Sequence, residues 1–160
     1  MGSGKTTVGK LLAARLDYAF FDMDKCIEAK KRKTVSQIFT EEGEDAFRLL
    51  EKNCLHELAD FESVVISTGG GVPCFFDNMD YMNERGMTVY LNRSVKELAA
   101  RLEADKFNKR PLVALRKGTE LEDFIDNTLT AREPKYLQAN LIVSGTEEEV
   151  VEQIMMLVKC

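Results

Sequence analysis

Six residues near the amino end have types and spacing that can hold a chain of phosphates. Gly2, Ser3, Gly4, Lys5, Thr6 and Thr7 form the back half of the pattern G-x-x-x-x-G-K-[ST]. In such a loop glycine amides cradle phosphates, the lysine reaches the β- and γ-phosphates, and the hydroxyl of Thr6 is placed to hold Mg2+. The helix expected after the loop brings its N-terminus to the same place, which by itself favours an anion. This is the chemistry of a nucleoside-triphosphate enzyme. The first glycine of the pattern would fall two positions before Met1, so the loop is met partway through.

Two further polar features are expected at the same edge of the fold. Asp22 and Asp24 close the apolar run that starts at Tyr18. A carboxylate at a strand end can hold Mg2+ or its waters, or orient a nucleophilic hydroxyl; aspartates there are also good helix caps, and both readings stay open. Gly69-Gly70-Gly71 follows Val64-Val65-Ile66-Ser67. Without Cβ atoms these amides let a ligand approach the backbone closely, where the plainer alternative is a flexible turn before Pro73.

Guanidinium forks suit carboxylate and phosphate because they bind both oxygens at once. Taken singly, Arg48, Arg110, Arg116 and Arg132 each read as solvated side chains. Arg116 keeps that reading, and the other three gain a role only through the resemblance described below. His56, the one histidine, has no neighbour at metal spacing and reads as structural. Lys30-Lys31-Arg32-Lys33 reads as the solvated end of a helix, and Met155 and Met156 as core packing.

The totals bound the answer. A chain of 160 residues fits one domain with a proper core. With 22 basic and 27 acidic side chains the net charge is −5, which argues against nucleic acid as a partner. Any bound anion must therefore be met by locally placed arginine and lysine. No apolar run approaches membrane-spanning length and the opening has no secretory pattern, so no membrane partner is expected. Cys26, Cys54, Cys74 and Cys160 lack metal spacing and read as reduced thiols in the cytoplasm.

Periodicity supplies the elements that must position these groups. Helices are expected over 6–16, 25–33, 94–104, 120–136 and 147–158, with a short one opened by the capping box Thr34-Val35-Ser36-Gln37 and stopped near Gly43. The longest helical pattern runs from Glu44 to Phe61, with Phe47, Leu50, Cys54, Leu55 and Leu58 on one stripe. Strands are expected at 18–21, 64–67, 88–91 and 141–143, and a mobile loop over 105–119. Alternating strands and helices make an α/β fold, a parallel sheet flanked by helices, with the ligand crevice at the carboxyl ends of the strands.

Taken in order, these pieces resemble the shikimate kinase family over nearly the whole chain. The match rests on Met1 to Lys10, Phe21-Asp22-Met23-Asp24, Ile38-Phe39, Glu42-Gly43-Glu44, and Phe47-Arg48 with Glu51. Ser67 to Gly71, Arg110-Pro111-Leu112 and Arg132-x-Pro134-x-Tyr136 complete it. The resemblance implies a P-loop kinase fold with a helical substrate-binding segment at about 24–61 and a lid at about 104–119. It implies transfer of the γ-phosphate of ATP to the 3-hydroxyl of shikimate, toward chorismate and the aromatic amino acids, by a cytoplasmic monomer. Lys5, Asp24 and Arg110 would be catalytic. Gly2, Ser3, Gly4, Lys5, Thr6, Thr7 and Arg110 would bind ATP, with Thr6 and Asp22 serving Mg2+. Asp24, Arg48, Gly70, Gly71 and Arg132 would bind shikimate, the two arginines on its carboxylate. The segment Ser144 to Glu148 is acidic where many relatives carry a basic residue and a proline, so no adenine contact is assigned.

In the resembled family a strand precedes the loop and lies in the middle of the sheet, between the strands ending at Ser67 and Leu91. Its absence leaves a gap there, and Met1 is then an internal methionine of the loop or the point at which the chain was cut. Upstream codons for roughly ten apolar residues ending in glycine are expected. Two other readings remain: another small-metabolite P-loop kinase, acting on gluconate for instance, or an inactive truncated chain.

Overall fold

A computed structural model of the chain describes residues 2–105 and 116–158. The phosphate loop turns into helix α1 (Lys5–Leu16) at Gly4, whose φ of 90° is a left-handed conformation that costs glycine nothing. Strand β1 (Ala19–Asp22) follows, and the side chain of Asp22 caps α2 (Met23–Lys31). The expected capping box is present: Thr34 and Gln37 satisfy each other's backbone amides and open α3 (Val35–Leu58). Gly43, at φ 83° and ψ 172°, breaks α3 into a short and a long piece, as its place in the sequence suggests.

Strand β2 (Val64–Ser67) leads through the glycines to a single 3-10 turn at Val72–Cys74. Then come α4 (Asn78–Arg85), β3 (Val89–Leu91), and α5 (Val95–Ala104), which opens on a Ser94/Glu97 capping box. Helix α6 (Gly118–Tyr136), β4 (Leu141–Val143) and α7 (Glu147–Val158) complete the described elements. The proposed mobile loop lies mostly outside the described residues.

Helix α4 has no counterpart among the sequence expectations. Its eight residues carry no clean stripe, and tertiary contacts fix it instead. Asn78, fully buried, donates its side-chain amide to the Val72 carbonyl at 2.9 Å, and Met79 is buried beside it. Two smaller expectations also need correcting. Met156 is 70% exposed, leaving only Met155 in the core. The lysine run is not merely solvated: Lys30 pairs with Glu57, Lys31 with Glu42 at 2.9 Å and Lys33, just past the end of α2, with Glu41, tying this stretch to α3. Each exposed pair is worth only about 0–1 kcal/mol. His56 is structural as read, its ring stacked on Tyr81 at 3.9 Å.

The strands form two parallel ladders. β1 pairs with β2 from Ala19↔Val64 to Asp22↔Ser67, and β3 pairs with β4 from Val89↔Leu141 to Leu91↔Val143. Among the described residues no ladder joins β2 to β3, which is where the sequence places a gap. An apolar layer bridges the halves: Val8 and Leu12 of α1 and Val150, Val151 and Ile154 of α7 pack over Val65 of β2 and Val89 of β3 alike. A second core, built on Met23, Ile38, Phe47 and Leu55, lies under α2 and α3.

Gly9 sets how closely α1 can approach the first ladder. A Cβ there would sit 2.5 Å from the Phe20 ring and 2.9 Å from Ser67 Oγ. Alanine gains about 1 kcal/mol of helix propensity over glycine, while overpacking a tight contact costs about 1–3 kcal/mol. Gly9→Ala is therefore expected to lower stability to urea, and Gly9→Ala with Phe20→Leu to recover it. An unchanged midpoint in the single variant would show that the contact relaxes freely.

Candidate active site

The carboxyl ends of β1 and β2 hold the phosphate loop from below. Ser67, the last residue of β2, donates its hydroxyl to the Lys5 carbonyl at 2.9 Å. At the end of β1, Asp22 Oδ2 accepts from the Thr6 hydroxyl at 3.0 Å while Oδ1 accepts from the Lys25 amide at 3.3 Å. One carboxylate thus caps α2 and faces the loop. Gly2 shares the left-handed conformation of Gly4, with φ 64°.

Two residues on, the chain addresses a different cluster. Met23 is fully buried and anchors the turn. Asp24, in the first turn of α2, lies beside the glycine loop: a Cβ on Gly69 would stand 3.3 Å from Asp24 Oδ1 and 2.8 Å from Glu51 Oε1. A Cβ on Gly71 would stand 2.2 Å from Arg48 Nη1. A side chain at 69 or 71 would have to displace the buried Glu51 carboxylate or Arg48 guanidinium, so at these two positions the glycines form a close-packed wall and not a loose turn.

Arg48 and Glu51 are 8% and 2% exposed on the long piece of α3. Arg48 donates from Nη1 to Glu51 Oε2 at 2.8 Å, and from Nε and Nη2 to Glu44 Oε1 at 3.1 and 2.9 Å. Its guanidinium also lies over the Phe75 ring, 4.1 Å from the centroid. Burial works against the Arg48 charge, but the Glu51 and Glu44 carboxylates outweigh it and raise its pKa. Burial pushes the Glu51 carboxyl above its usual range; Arg48 opposes this, Asp24 adds to it, and Arg132 draws it back.

Arg132, on α6, and Arg48 both act on Glu51 and on the Cys74 thiol, so the two guanidinium groups serve one cluster. Tyr136 fixes the end of α6 there by donating its hydroxyl to the Gly70 carbonyl at 2.5 Å. Of the residues singled out in the sequence, Gly2 to Thr7 and Asp22 thus gather at the carboxyl end of β1. Asp24, Arg48, Gly70, Gly71 and Arg132 gather around the glycine loop that follows β2. Arg110 lies outside the described residues. Arg116, which was set aside, lies over the Phe124 ring at 4.3 Å, with Glu120 3.9 Å away.

Sequence reasoning gave no role to Glu44, Phe75 or Arg93. Glu44 was findable, standing four residues before Arg48 as Glu51 stands three after it, the spacings that meet on a helix face. Phe75 and Arg93 sit in non-periodic connections and carried no signal.

A phosphate loop on a parallel α/β fold, with an acid at the neighbouring strand end, defines a P-loop kinase. The chain belongs to the shikimate kinase family, whose description matches residues 1–159. It is 56% identical over 141 residues to the shikimate kinase of Parabacteroides distasonis, covering 88% of this chain and 81% of that one. It is 52% identical to that of Bacteroides fragilis, covering 96% and 86%. The crystal structure of shikimate kinase from Bacteroides thetaiotaomicron superposes with a TM-score of 0.95 at 46% identity, over 100% of this chain and 94% of that one. The shikimate kinase of Acinetobacter baumannii in complex with shikimate gives 0.88 at 34%, over 99% and 88%.

Removing Arg48 should expose what Glu51 costs. In Arg48→Met the carboxyl loses its main opposing charge, so its folded pKa rises further above the unfolded value of about 4.3. A carboxyl that binds protons more tightly when folded stabilises below the unfolded pKa and loses that contribution as pH rises through the folded one. Denaturation from pH 4 to 8 should show Arg48→Met losing stability as pH rises, by about 3–5 kcal/mol against the parent at neutral pH. Arg48→Met with Glu51→Gln should lose the slope; a slope that persists would assign it elsewhere.

Proposed function

We propose that this chain transfers the γ-phosphate of ATP to the 3-hydroxyl of shikimate, forming shikimate 3-phosphate on the way to the aromatic amino acids. One observation carries the reading. The end of β1 presents Asp22 to the phosphate loop and Asp24, two residues later, to the cluster of Glu51, Arg48 and the glycine wall. A single short segment therefore joins the phosphate end to a carboxylate-receiving end. Phosphoryl transfer asks chiefly for such positioning and for positive charge against the developing negative charge.

Each residue then has a task. Lys5 and the amides from Gly2 to Thr7 hold the phosphates. Arg48 and Arg132 receive the shikimate carboxylate, Gly70 and Gly71 line its ring, and Asp24 orients the acceptor hydroxyl and takes its proton. Arg110, within the proposed lid at about 104–119, supplies further charge to the phosphates. The segment at about 24–61 serves as the substrate-binding part of a monomer working in the cytoplasm, a setting that suits its free thiols. Among the described residues no helix is long and apolar enough to cross a membrane.

Thr6 and Asp22 suit Mg2+, offering a hydroxyl and a carboxylate oxygen 3.0 Å apart. No three acidic, histidine or cysteine side chains converge among the described residues. Most ligands of the ion would then be water and phosphate oxygens, the arrangement Mg2+ prefers. When bound, the ion neutralises charge on the β- and γ-phosphates.

ADP release should depend on shikimate and be absent with gluconate. Asp24→Asn should lower kcat by about 10²–10⁴-fold while ATP affinity holds. Glu44→Gln should lower the KM for shikimate by up to about fivefold, because it removes a rival carboxylate from Arg48. Turnover on gluconate matching that on shikimate, or none on either, would refute the assignment.

A further inference from the structure

Behind the phosphate loop lies a charge that no part of the proposed chemistry uses. Arg93, between β3 and α5, is 6% exposed although it sits in a connection. Its Nε donates to the Ser3 carbonyl at 2.8 Å and its Nη1 to the Gly145 carbonyl at 2.8 Å. The third nitrogen, Nη2, is buried with no hydrogen-bond partner among the described residues and stands 3.7 Å from Glu147 Oε1. That carboxylate is already engaged by Arg101 Nη2 at 2.5 Å. A Cβ on Gly4 would lie 3.9 Å from Arg93 Nη2, and 3.2 Å from both Arg101 Nη1 and Glu147 Oε1.

Burying a guanidinium is costly unless its bonds accomplish something an aliphatic side chain could not. Here the bond to Ser3 sets a peptide plane. The carbonyl of Ser3 and the amide of Gly4 belong to one planar unit and point in opposite directions. With the carbonyl held toward Arg93, the Gly4 N–H of the same plane is directed the opposite way, away from Arg93. Left-handed Gly4 has little conformational preference to keep that plane in place. The bond to Gly145 ties the same guanidinium to the connection between β4 and α7, so the loop is braced against a second strand end.

We propose that Arg93 is a positioning residue of the nucleotide site, orienting the Gly4 amide toward the phosphates through the Ser3 carbonyl. It touches neither substrate. The inference rests on the phosphate-loop part of the proposed function and is independent of which alcohol is phosphorylated.

Calorimetric titration of the full chain with ADP and, separately, with shikimate tests it, using Arg93→Met, Arg93→Gln and Arg93→Lys. Arg93→Met should weaken ADP by about tenfold and leave shikimate affinity within about twofold. Arg93→Lys, which can still donate to both carbonyls, should recover most of the ADP affinity, and Arg93→Gln should fall between. Because ADP binding is read directly, a wrong choice of acceptor alcohol would not disturb the result. Equal weakening of both ligands would reduce Arg93 to a structural role, and unchanged ADP affinity in Arg93→Met would overturn the proposal. Should Arg93→Met not fold, the ratio of the two affinities in Arg93→Gln decides in the same way.

Discussion

The acceptor half of the crevice depends on a carboxylate that is almost wholly out of water. Glu51 is tolerated on α3 because Arg48 lies one turn before it and donates at 2.8 Å. Removing both charges from solvent costs several kcal/mol per ion, so such a pair contributes little net stability. What it supplies is a guanidinium whose place is fixed. Glu51 holds one nitrogen, Phe75 holds the flat face, and the remaining edge is turned toward the exposed carboxylate of Glu44. The glycine wall follows from the same pair, since Gly71 passes so close to Arg48 that no Cβ fits. Tyr136 then seals the wall to α6, bringing Arg132 to the cluster.

The phosphate half depends on a different kind of support. Its strands are three or four residues long and its two ladders share no backbone hydrogen bonds among the described residues. Helices α1 and α7 span both ladders through apolar contacts, and short polar ties complete the join. Ser67 fastens β2 to the start of α1, while Arg93 fastens the connection after β3 to the loop and to Gly145. Such ties matter because apolar contact is non-directional. It can hold two layers together without fixing the rotation of a peptide plane, which a hydrogen bond does.

Much of this was legible in the sequence, for identifiable reasons. Periodicity located α1, α3, α5 and α7, and the capping boxes at Thr34 and Ser94 are local devices that need no tertiary context. The phosphate loop and the Asp22/Asp24 pair were legible because their chemistry demands particular residue types at fixed spacing. Helix α4 was not, since Asn78 is held by the Val72 carbonyl and not by any pattern of its own. Met156 was misjudged because the buried stripe of α7 takes in Val150, Val151, Ile154 and Met155 and ends there, so the next side chain, about 100° further round the helix, faces outward. Arg93 was invisible for a deeper reason: its role is to hold backbone carbonyls, which every residue has, so no partner in the sequence advertises it.

A chain of net charge −5 that handles a triphosphate and a carboxylate must solve an electrostatic problem locally. Around three of its arginines it does so by supplying carboxylates of its own. Arg48 is shared between Glu44 and Glu51, and Glu147 stands between Arg101 and Arg93. Without such partners these cations would repel one another and pay for burial unaided, so the acids make it possible to gather them at all. The same acids compete with any anionic ligand that arrives. Glu51 cannot yield, because it is buried, but Glu44 is 55% exposed on its side chain and can turn into water at little cost. The arrangement thus separates two functions within one ion network: the buried acid fixes where the guanidinium points, and on the proposed assignment the exposed one would set how much a carboxylate must offer to displace it.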